Sequence, residues 1–489
     1  MKRMCGKIDP TYLCIFFSLS VVGSLAADSP SLVRPLISNG SYTEAIRLLE
    51  KMALSQDVGA TKRDTLLWEA ERLRRIKSDY SLSEEDIRRQ LHRRIPDFAD
   101  NEFDLWKQKG LFDWRQIDGH FRFLYCSVSN LFHRYPKIRK RSASYGKEPF
   151  AASLARIVSS TKTINDADAE LRGARRFHIR MKLVVGKGTV PPGETVRCWL
   201  PFPKQCSFQQ NVELLSSTPE VSFTAPPTAA HRSVYLERES RAHTGTSFSI
   251  EYAYTSIPRY SSIDPDRVTR FVPDNLRNYM EEEPPHLVFL PEFEMLLKKV
   301  VGSETNPYYA AKRIYLWLSE NMKYSYAREY STIRNISKYA FNHRYGDCGQ
   351  ITLLFMVLCR MSGIPARWES GWMLYPDLVN LHDWCTIYLD PYGWVPVDPN
   401  FGVEAMNSWD TLKSSERKSI REFYFGNMDP HRLIVNSDHG KSFIPPKRHF
   451  RSDTVDFQRG EVETDEENIY YDRFTYDLEI LSSKPVDSP

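Results

Sequence analysis

Three residues that could carry out acyl transfer follow one another in this chain of 489 residues. Cys348 stands in Gly-Asp-Cys-Gly-Gln, His382 in His-Asp-Trp, and Asp398 in Gly-Trp-Val-Pro-Val-Asp. A cysteine thiolate is a nucleophile, a histidine can accept and return a proton, and an aspartate can fix the histidine tautomer. Their order and settings therefore predict nucleophilic catalysis by Cys348, His382 and Asp398.

The residues after Cys348 predict a buried helix that starts at this cysteine. Apolar residues recur there at helical spacing, at Ile351, Leu354, Phe355 and Leu358. Gly363 and Pro365 end the helix, and Asp347 is placed to cap its start. The positive end of a helix favours a thiolate, and its free N–H groups can hold an oxyanion.

His382 and Asp398 fall on a predicted β-hairpin. Leu381 to Leu389 has strand character, and Asp390 to Gly393 has the residue types of a turn. Trp394 to Asp398 is the predicted returning strand of the hairpin. Because side chains alternate along a strand, the register decides whether the two residues share a face. We expect a three-residue loop, at 391–393, or a bulge, either of which places both side chains on one face.

The motifs resemble the core of the transglutaminase-like superfamily. Those motifs are Gly-Asp-Cys-Gly, Leu-Cys-Arg-Met-Ser-Gly-Ile-Pro-Ala-Arg, His-Asp-Trp-Cys-Thr-Ile-Tyr-Leu and Gly-Trp-Val-Pro-Val-Asp-Pro-Asn. The resemblance covers about 306–402. It implies an α+β, papain-like core in which the cysteine helix packs against an antiparallel sheet that bears the histidine and aspartate. It also implies that Cys348 forms a thioester, His382 moves protons and Asp398 orients His382.

Two further sets of residues are candidates for this site. The resemblance implies a second oxyanion donor, for which the chain offers Gln350, Tyr324 and Tyr326. Three tryptophans either line an acyl-donor cleft or fill the core: Trp368, Trp372 and Trp384.

Several functions fit these motifs. Hydrolysis of a peptide, amide or glycopeptide is favoured because water is the default acceptor when no amine site is evident. Protein cross-linking and a peptide N-glycanase-like amidase are the enzymatic alternatives, and a non-catalytic binding module is the other. We expect no cofactor and no metal, because Cys348, His382 and Cys385 lack a structural zinc spacing and no calcium-loop run occurs.

Changes in composition along the chain predict five segments. They are a signal peptide at 1–27, a helical module at 28–150, a β-sandwich-like domain at 170–262, the catalytic core at 270–425 and an extended, partly strand segment at 426–489. Lys2, Arg3 and Lys7 precede an apolar stretch that ends near Ala26 and Ala27, which is typical of a signal peptide. The sequence therefore predicts a secreted or periplasmic protein with no further transmembrane segment.

Overall composition adds little about partners. The net charge of +4 argues neither for nor against a nucleic-acid partner, and we expect none. The 41% of hydrophobic residues suffice for sizeable cores. Six cysteines follow the predicted signal peptide, and if Cys348 stays free they cannot all pair within the chain. A Cys198–Cys206 disulfide is left open by the sequence.

Overall fold

The computed structural model describes residues 31–147, 149–161 and 173–486. The predicted signal peptide and its cleavage site lie outside these residues. Within them, no helix is both long and apolar enough to span a membrane.

The first part of the described chain is mainly helical. Its helices are α1 Val33–Ser38, α2 Tyr42–Ala53, α3 Ala60–Asp79, α4 Glu84–Arg94, α5 Asp100–Gln108, α6 Ser127–Arg134, α7 Pro136–Arg139 and α8 Pro149–Thr161. A short hairpin, β1 Trp114–Ile117 with β2 His120–Phe123, interrupts them. Apolar faces of α2 and α3 pack against each other to form a small core of their own.

Two facing sheets form the β-domain. Its strands before the core are β3 Arg175–Val185, β4 Thr195–Pro201, β5 Gln209–Thr218, β6 Phe223–Thr224, β7 Ser233–Glu239 and β8 Thr246–Ser256. Strands β3, β8 and β5 belong to one sheet, and β4, β7 and β6 belong to the other. Alternate residues of β3 are buried in the shared core, as expected for strands with one solvated face.

The core domain combines helices with an antiparallel sheet. Its helices are α9 Pro291–Val300, α10 Pro307–Asn321, α11 Ile336–His343, α12 Cys348–Met361, α13 Pro399–Asn407 and α14 Ser414–Phe423. Its strands are β9 Lys323–Tyr324, β10 Tyr345–Gly346, β11 Ala366–Tyr375, β12 Leu378–Leu389, β13 Gly393–Val397 and β14 Arg432–Asn436. The main sheet has the order β13-β12-β11-β14, and all neighbouring pairs in it are antiparallel.

Helix α12 lies at the centre of this domain. It is buried along almost its whole length and packs on β11 and β12 on one side and on α10, α11 and α13 on the other. The side chains of Cys385, Ile387 and Leu389 on β12 belong to the same apolar cluster as this helix. One face of β12 therefore meets α12, and the opposite face packs elsewhere.

The C-terminal segment completes the β-domain. β15 Glu461–Glu463 pairs with β4, β16 Asn468–Ile469 pairs with β15, and β17 Phe474–Pro485 runs antiparallel along β3. The segment therefore adds strands to both sheets of the β-domain. Before β15 the chain passes close to the core sheet, and Ser452, Asp456 and Phe457 are buried there although they lie in no helix or strand.

Candidate active site

Cys348 is the first residue of α12, as predicted. The Asp347 side chain accepts a hydrogen bond from the Gln350 N–H group at 3.0 Å and so caps the helix. The Gln350 side chain in turn accepts from the Asp347 N–H group, which completes a capping box. The half-buried thiol therefore sits at the positive end of a 14-residue helix.

The hairpin brings His382 and Asp398 together. Leu389 pairs with Gly393, so the loop is the three residues 390–392, one position earlier than predicted. The two side chains share a face, as predicted, and His382 Nε2 lies 2.7 Å from Asp398 Oδ2. Arg432 donates to the same oxygen at 2.9 Å. Burial lowers the pKa of His382, so its imidazole is held neutral.

Cys348 and His382 are on different sides of β12. Consecutive residues of a strand point to opposite faces, and here it is Asp383 that faces α12. Cys348 Sγ lies 3.2 Å from Asp383 Oδ2. The His382 ring instead packs against Phe401, with ring centroids 4.7 Å apart. Across the described residues no hydrogen bond joins Cys348 to His382, and the catalytic role of His382 stays a prediction.

A small polar cavity of about 140 Å³ opens over the thiol. Four separate parts of the chain line it: the helical module, the segment before α12, the start of β12 and the segment before β15. The lining residues are Tyr125, Tyr324, Tyr326, Ala327, Arg328, Glu329, Tyr330, Asp347, Cys348, Asn380, Leu381, Asp383, Asp453, Asp456, Gln458 and Arg459. The cavity is therefore assembled only when all four parts are packed together.

Asp383 is at the centre of the hydrogen bonds in this cavity. Tyr330 Oη donates to Asp347 at 2.9 Å and lies 3.2 Å from Asp383 Oδ2. Gln458 Nε2 donates to Asp383 Oδ1 at 2.7 Å. Burial, together with the charge of Asp456, raises the pKa of Asp383 well above its usual range. Burial and the adjacent Asp383 and Asp347 also raise the pKa of the Cys348 thiol, so the thiol rests protonated.

The structure separates the three candidate oxyanion donors. Tyr324 and Tyr326 line the cavity beside Cys348. Asn130 of α6 donates to the Tyr326 carbonyl at 3.0 Å and fixes this segment. Gln350 is absent from the cavity lining, since its side chain is buried and closes the capping box with Asp347. Tyr324 and Tyr326 therefore remain candidates for the oxyanion donor, and the buried Gln350 side chain does not reach the cavity.

The three candidate cleft tryptophans lie in the core and do not line the cavity at Cys348. Their indole N–H groups are satisfied inside the protein: Trp368 donates to Ser370, Trp372 to the Gln458 carbonyl and Trp384 to Glu369. Trp368 and Trp384 are fully buried. Of the two alternatives that the sequence left open, the structure supports the core and not a substrate cleft, and burial of these large rings stabilises the sheet.

The described cysteines are all free thiols: Cys126, Cys198, Cys206, Cys348, Cys359 and Cys385. His382 and Cys385 point to opposite faces of β12, so they do not converge on Cys348 as a zinc site would require. Glu283, Asp438 and His439 offer ligand atoms within 4.8 Å of one another. Lys441 Nζ already pairs with Glu283 at 2.6 Å and with Asp438 at 3.3 Å, so these carboxylates have a cationic partner.

Sequence reasoning missed Asp383, Tyr330, Asp456 and Gln458. For Asp383 and Tyr330, the glycine that follows Cys348 was a local sign in the sequence. A Cβ atom added to Gly349 would lie 2.2 Å from Tyr330 Oη and 2.6 Å from Asp383 Oδ2, so this glycine marks a close approach. Asp456 and Gln458 come from an irregular segment that has no periodicity to read.

The geometry defines an α+β protein with a cysteine at a helix start beside an antiparallel sheet. A family model described as "Transglutaminase-like superfamily" matches residues 294–399. This range extends from within α9 to just beyond β13 and includes Cys348, His382 and Asp398. Residues 294–399 therefore match the transglutaminase-like superfamily, as the motifs predicted, and the α+β fold expected for this part of the chain is confirmed.

Relatives match only parts of the chain. YebA of Bacillus subtilis (strain 168) is 27% identical over 133 residues, 23% of this chain and 18% of YebA. A Haemophilus influenzae protein is 25% identical over 173 residues, 30% of this chain and 45% of that protein. The chain thus matches under half the length of either relative.

Two solved structures are similar to this chain, each at 15% sequence identity. A candidate cysteine protease of Cytophaga hutchinsonii gives a TM-score of 0.40, covering 65% of this chain and 92% of that chain. The periplasmic domain of TgpA from Pseudomonas aeruginosa gives 0.27, covering 55% of this chain and 96% of that chain.

Proposed function

We propose that this chain is a cysteine-dependent acyl-transfer enzyme that hydrolyses peptide or amide bonds. The observation that carries the proposal is the position of Cys348 at the first residue of α12. Its half-buried thiol lies in a polar cavity and contacts the carboxyl group of Asp383. Cys348 Sγ attacks the carbonyl carbon, the amine leaves, and water resolves the thioester. The N–H groups at the start of α12, with Tyr324 or Tyr326, stabilise the oxyanion.

Water is the acceptor in this proposal because it is the default acceptor for a thioester when no amine site is evident. We also propose that the enzyme acts outside the cytoplasm, on the basis of the predicted signal peptide at 1–27.

A non-catalytic binding module is the second candidate. It is favoured by the protonated resting thiol and by the absence, in the described parts of the chain, of a hydrogen bond between Cys348 and His382. Both candidates share the fold and differ in whether the thiol can attack a carbonyl carbon.

Acylation by p-nitrophenyl acetate distinguishes the two. We expect release of one nitrophenol per chain in a burst, with the acetyl group mapped by mass spectrometry to Cys348 and then lost to water. The exposed thiol of Cys206 in the same chain is the internal reference, and Cys348→Ala should remove the burst. Acetylation of Cys348 no faster than of Cys206 would reject the enzyme and leave the binding module.

A further inference from the structure

The segment that carries Tyr324 and Tyr326 lies between the nucleophile and the helical module. Strand β9 of this segment pairs in parallel with β10, which ends two residues before Cys348. The Ser325 N–H group continues the pairing and donates to the Gly346 carbonyl at 2.9 Å. The position of this segment therefore sets where the two tyrosine rings lie relative to the thiol.

Helix α6 of the helical module holds the other side of the same segment. The side chain of Asn130 donates to the Tyr326 carbonyl at 3.0 Å. Arg134 Nε donates to Ser325 Oγ at 2.8 Å, and Lys323 Nζ donates to the Arg134 carbonyl at 2.8 Å. Because Asn130 and Arg134 are buried, water does not compete for these hydrogen bonds. The backbone of the segment is therefore fixed to α6.

Asp113 keeps the two donors of α6 in place. Its Oδ2 accepts from Asn130 Nδ2 and its Oδ1 accepts from Arg134 Nη1, each at 2.9 Å. The Arg134 guanidinium also lies over the Tyr345 ring of β10, 3.7 Å from the ring centroid. Helix α6 is thus tied both to its own module and to the strand that leads to the nucleophile.

His133 of the same helix contacts both tyrosine rings. Its ring centroid lies 4.9 Å from that of Tyr324 and 5.2 Å from that of Tyr326, and both contacts are edge-to-face. Burial and the charges of neighbouring arginines lower the pKa of His133 to about 4, so its imidazole is neutral near pH 7. The ring therefore acts on the tyrosines by packing and carries no charge into the site.

The hydroxyl of Tyr324 is free to bind a ligand. Neither Tyr324 nor Tyr326 uses its hydroxyl in a hydrogen bond with any residue that the structure describes, although both line the cavity. Burial, with Tyr326 and Cys348 nearby, raises the pKa of Tyr324 well above its usual range, so the hydroxyl keeps its proton. Tyr324 therefore offers an unused O–H donor in the cavity that holds the thiol.

We propose that His133 is a positioning residue of the active site and acts through Tyr324. This inference rests on the proposed function. When Sγ bonds to the carbonyl carbon, the Tyr324 hydroxyl donates to the oxyanion that forms, and the His133 ring holds the Tyr324 ring in the orientation that this hydrogen bond needs. Tyr324 transfers no proton, so it leaves the proton balance of the reaction unchanged. The helical module is thus a working part of the active site.

Fixed orientation matters because an oxyanion donor is effective only when it is placed before the reaction starts. A tyrosine ring at the wall of a cavity has atoms on one side only, and it can tilt unless its other contacts hold it. Without the His133 ring, Tyr324 loses such a contact while its backbone stays fixed by α6 and β10. The loss should therefore affect the orientation of the hydroxyl and leave the position of Cys348 unchanged.

Two reactions of the same thiol separate this role from a merely structural one. Acetylation by p-nitrophenyl acetate passes through an oxyanion, whereas alkylation by iodoacetamide is a direct displacement that forms none. We expect His133→Ala to slow acetylation of Cys348 by about 10-fold, less than the roughly 100-fold of a removed oxyanion donor, and to change alkylation by less than about twofold. Mass spectrometry of both adducts confirms that Cys348 is the residue modified.

Three further variants serve as controls. His133→Phe keeps an aromatic ring and should restore most of the acetylation rate. His133→Leu fills the space without a ring, so it tests the same contact if His133→Ala does not fold. His120→Ala removes an exposed histidine from β2 of the same module and should change neither reaction.

Tyr324→Phe provides the decisive comparison, because it removes the hydroxyl and keeps the ring. We expect acetylation about 100-fold slower than in the wild type. If His133 acts through this hydroxyl, adding His133→Ala to Tyr324→Phe slows acetylation no further.

Four results would overturn the proposal: additive losses in the double variant, an unaffected Tyr324→Phe, equal slowing of acetylation and alkylation, or unchanged acetylation in both His133→Ala and His133→Leu. A failure of the proposed function itself is seen separately, before any variant is compared. In that case wild-type Cys348 is acetylated no faster than Cys206.

Discussion

At the scale of single residues, burial sets the protonation of the site. Asp347 and Asp453 line the same cavity, and burial raises the pKa of Asp347 to about 7 and that of Asp453 to about 6. A carboxyl group in such a position prefers its neutral form, since desolvation penalises the charged form. The cavity therefore gains negative charge as the pH rises towards neutrality, and the folded state loses stability relative to the unfolded chain.

Asp347→Asn should make the fold less sensitive to pH. Between pH 4 and 7 the folded wild type keeps a proton on Asp347 that the unfolded chain has released, so wild-type stability falls as the pH rises. The slope for one such group is at most about 1.4 kcal/mol per pH unit. Asparagine can still cap α12. As the pH rises to about 7, the melting temperature of the variant should therefore increase relative to that of the wild type.

Melting temperatures of both proteins from pH 4.5 to 8.5 check this prediction. Asp57→Asn, on an exposed site, controls for a change of net charge. A difference between Asp347→Asn and the wild type that stays constant with pH would show that Asp347 is ionised in the folded state throughout.

At the scale of elements, the site depends on how closely α12 approaches β12. Gly349 follows the nucleophile, and its lack of a side chain leaves room for Tyr330 Oη and Asp383 Oδ2. Asp383 and Tyr330 can therefore meet over the helix start, where the N–H groups are free. The identity of the residue after Cys348 thus decides whether the carboxyl group reaches the thiol.

Gly349→Ala should displace Asp383 or Tyr330 from the thiol. The new Cβ atom would lie 2.2 Å from Tyr330 Oη, a distance that forces the side chains apart. Overpacking of this kind costs about 1–3 kcal/mol, and we expect acetylation of Cys348 to slow as well. Gly59→Ala is the control, because nothing lies within 4 Å of its added Cβ. Equal acetylation rates in wild type and Gly349→Ala would contradict the close approach.

The sequence determines the elements of the site better than their relative orientation. The start of α12 and the shared face of His382 and Asp398 follow from capping residues, periodicity and loop length, and both are confirmed. Which face of β12 meets α12 does not follow, since His382 and Asp383 are neighbours on one strand and both are polar. Packing of Cys385 and Ile387 against α12 decides it, and this tertiary contact leaves no local pattern.

At the scale of the whole molecule, the cavity is built from parts that are distant in sequence. Tyr125 comes from the helical module, while Asp456 and Gln458 come from the segment before β15. Arg75 of α3 joins these two parts: its buried guanidinium donates to the Arg451 carbonyl at 2.8 Å and to the Ser452 carbonyl at 3.2 Å. The helical module therefore holds the segment that supplies Asp456 and Gln458 to the cavity.

Arg75→Met should loosen the segment before β15 without unfolding the β-domain. The substitution removes these two charge-assisted hydrogen bonds and the one that Arg75 donates to Glu71, and we expect the free energy of unfolding to fall by about 2 kcal/mol. Hydrogen–deuterium exchange should speed up at residues 449–459 and stay unchanged in β3 and β8. Arg47→Met, on the exposed face of α2, should change neither region. Unchanged exchange at 449–459 would mean that the core sheet alone positions Asp456, through Ser370 and Asn436, and that the helical module serves another purpose.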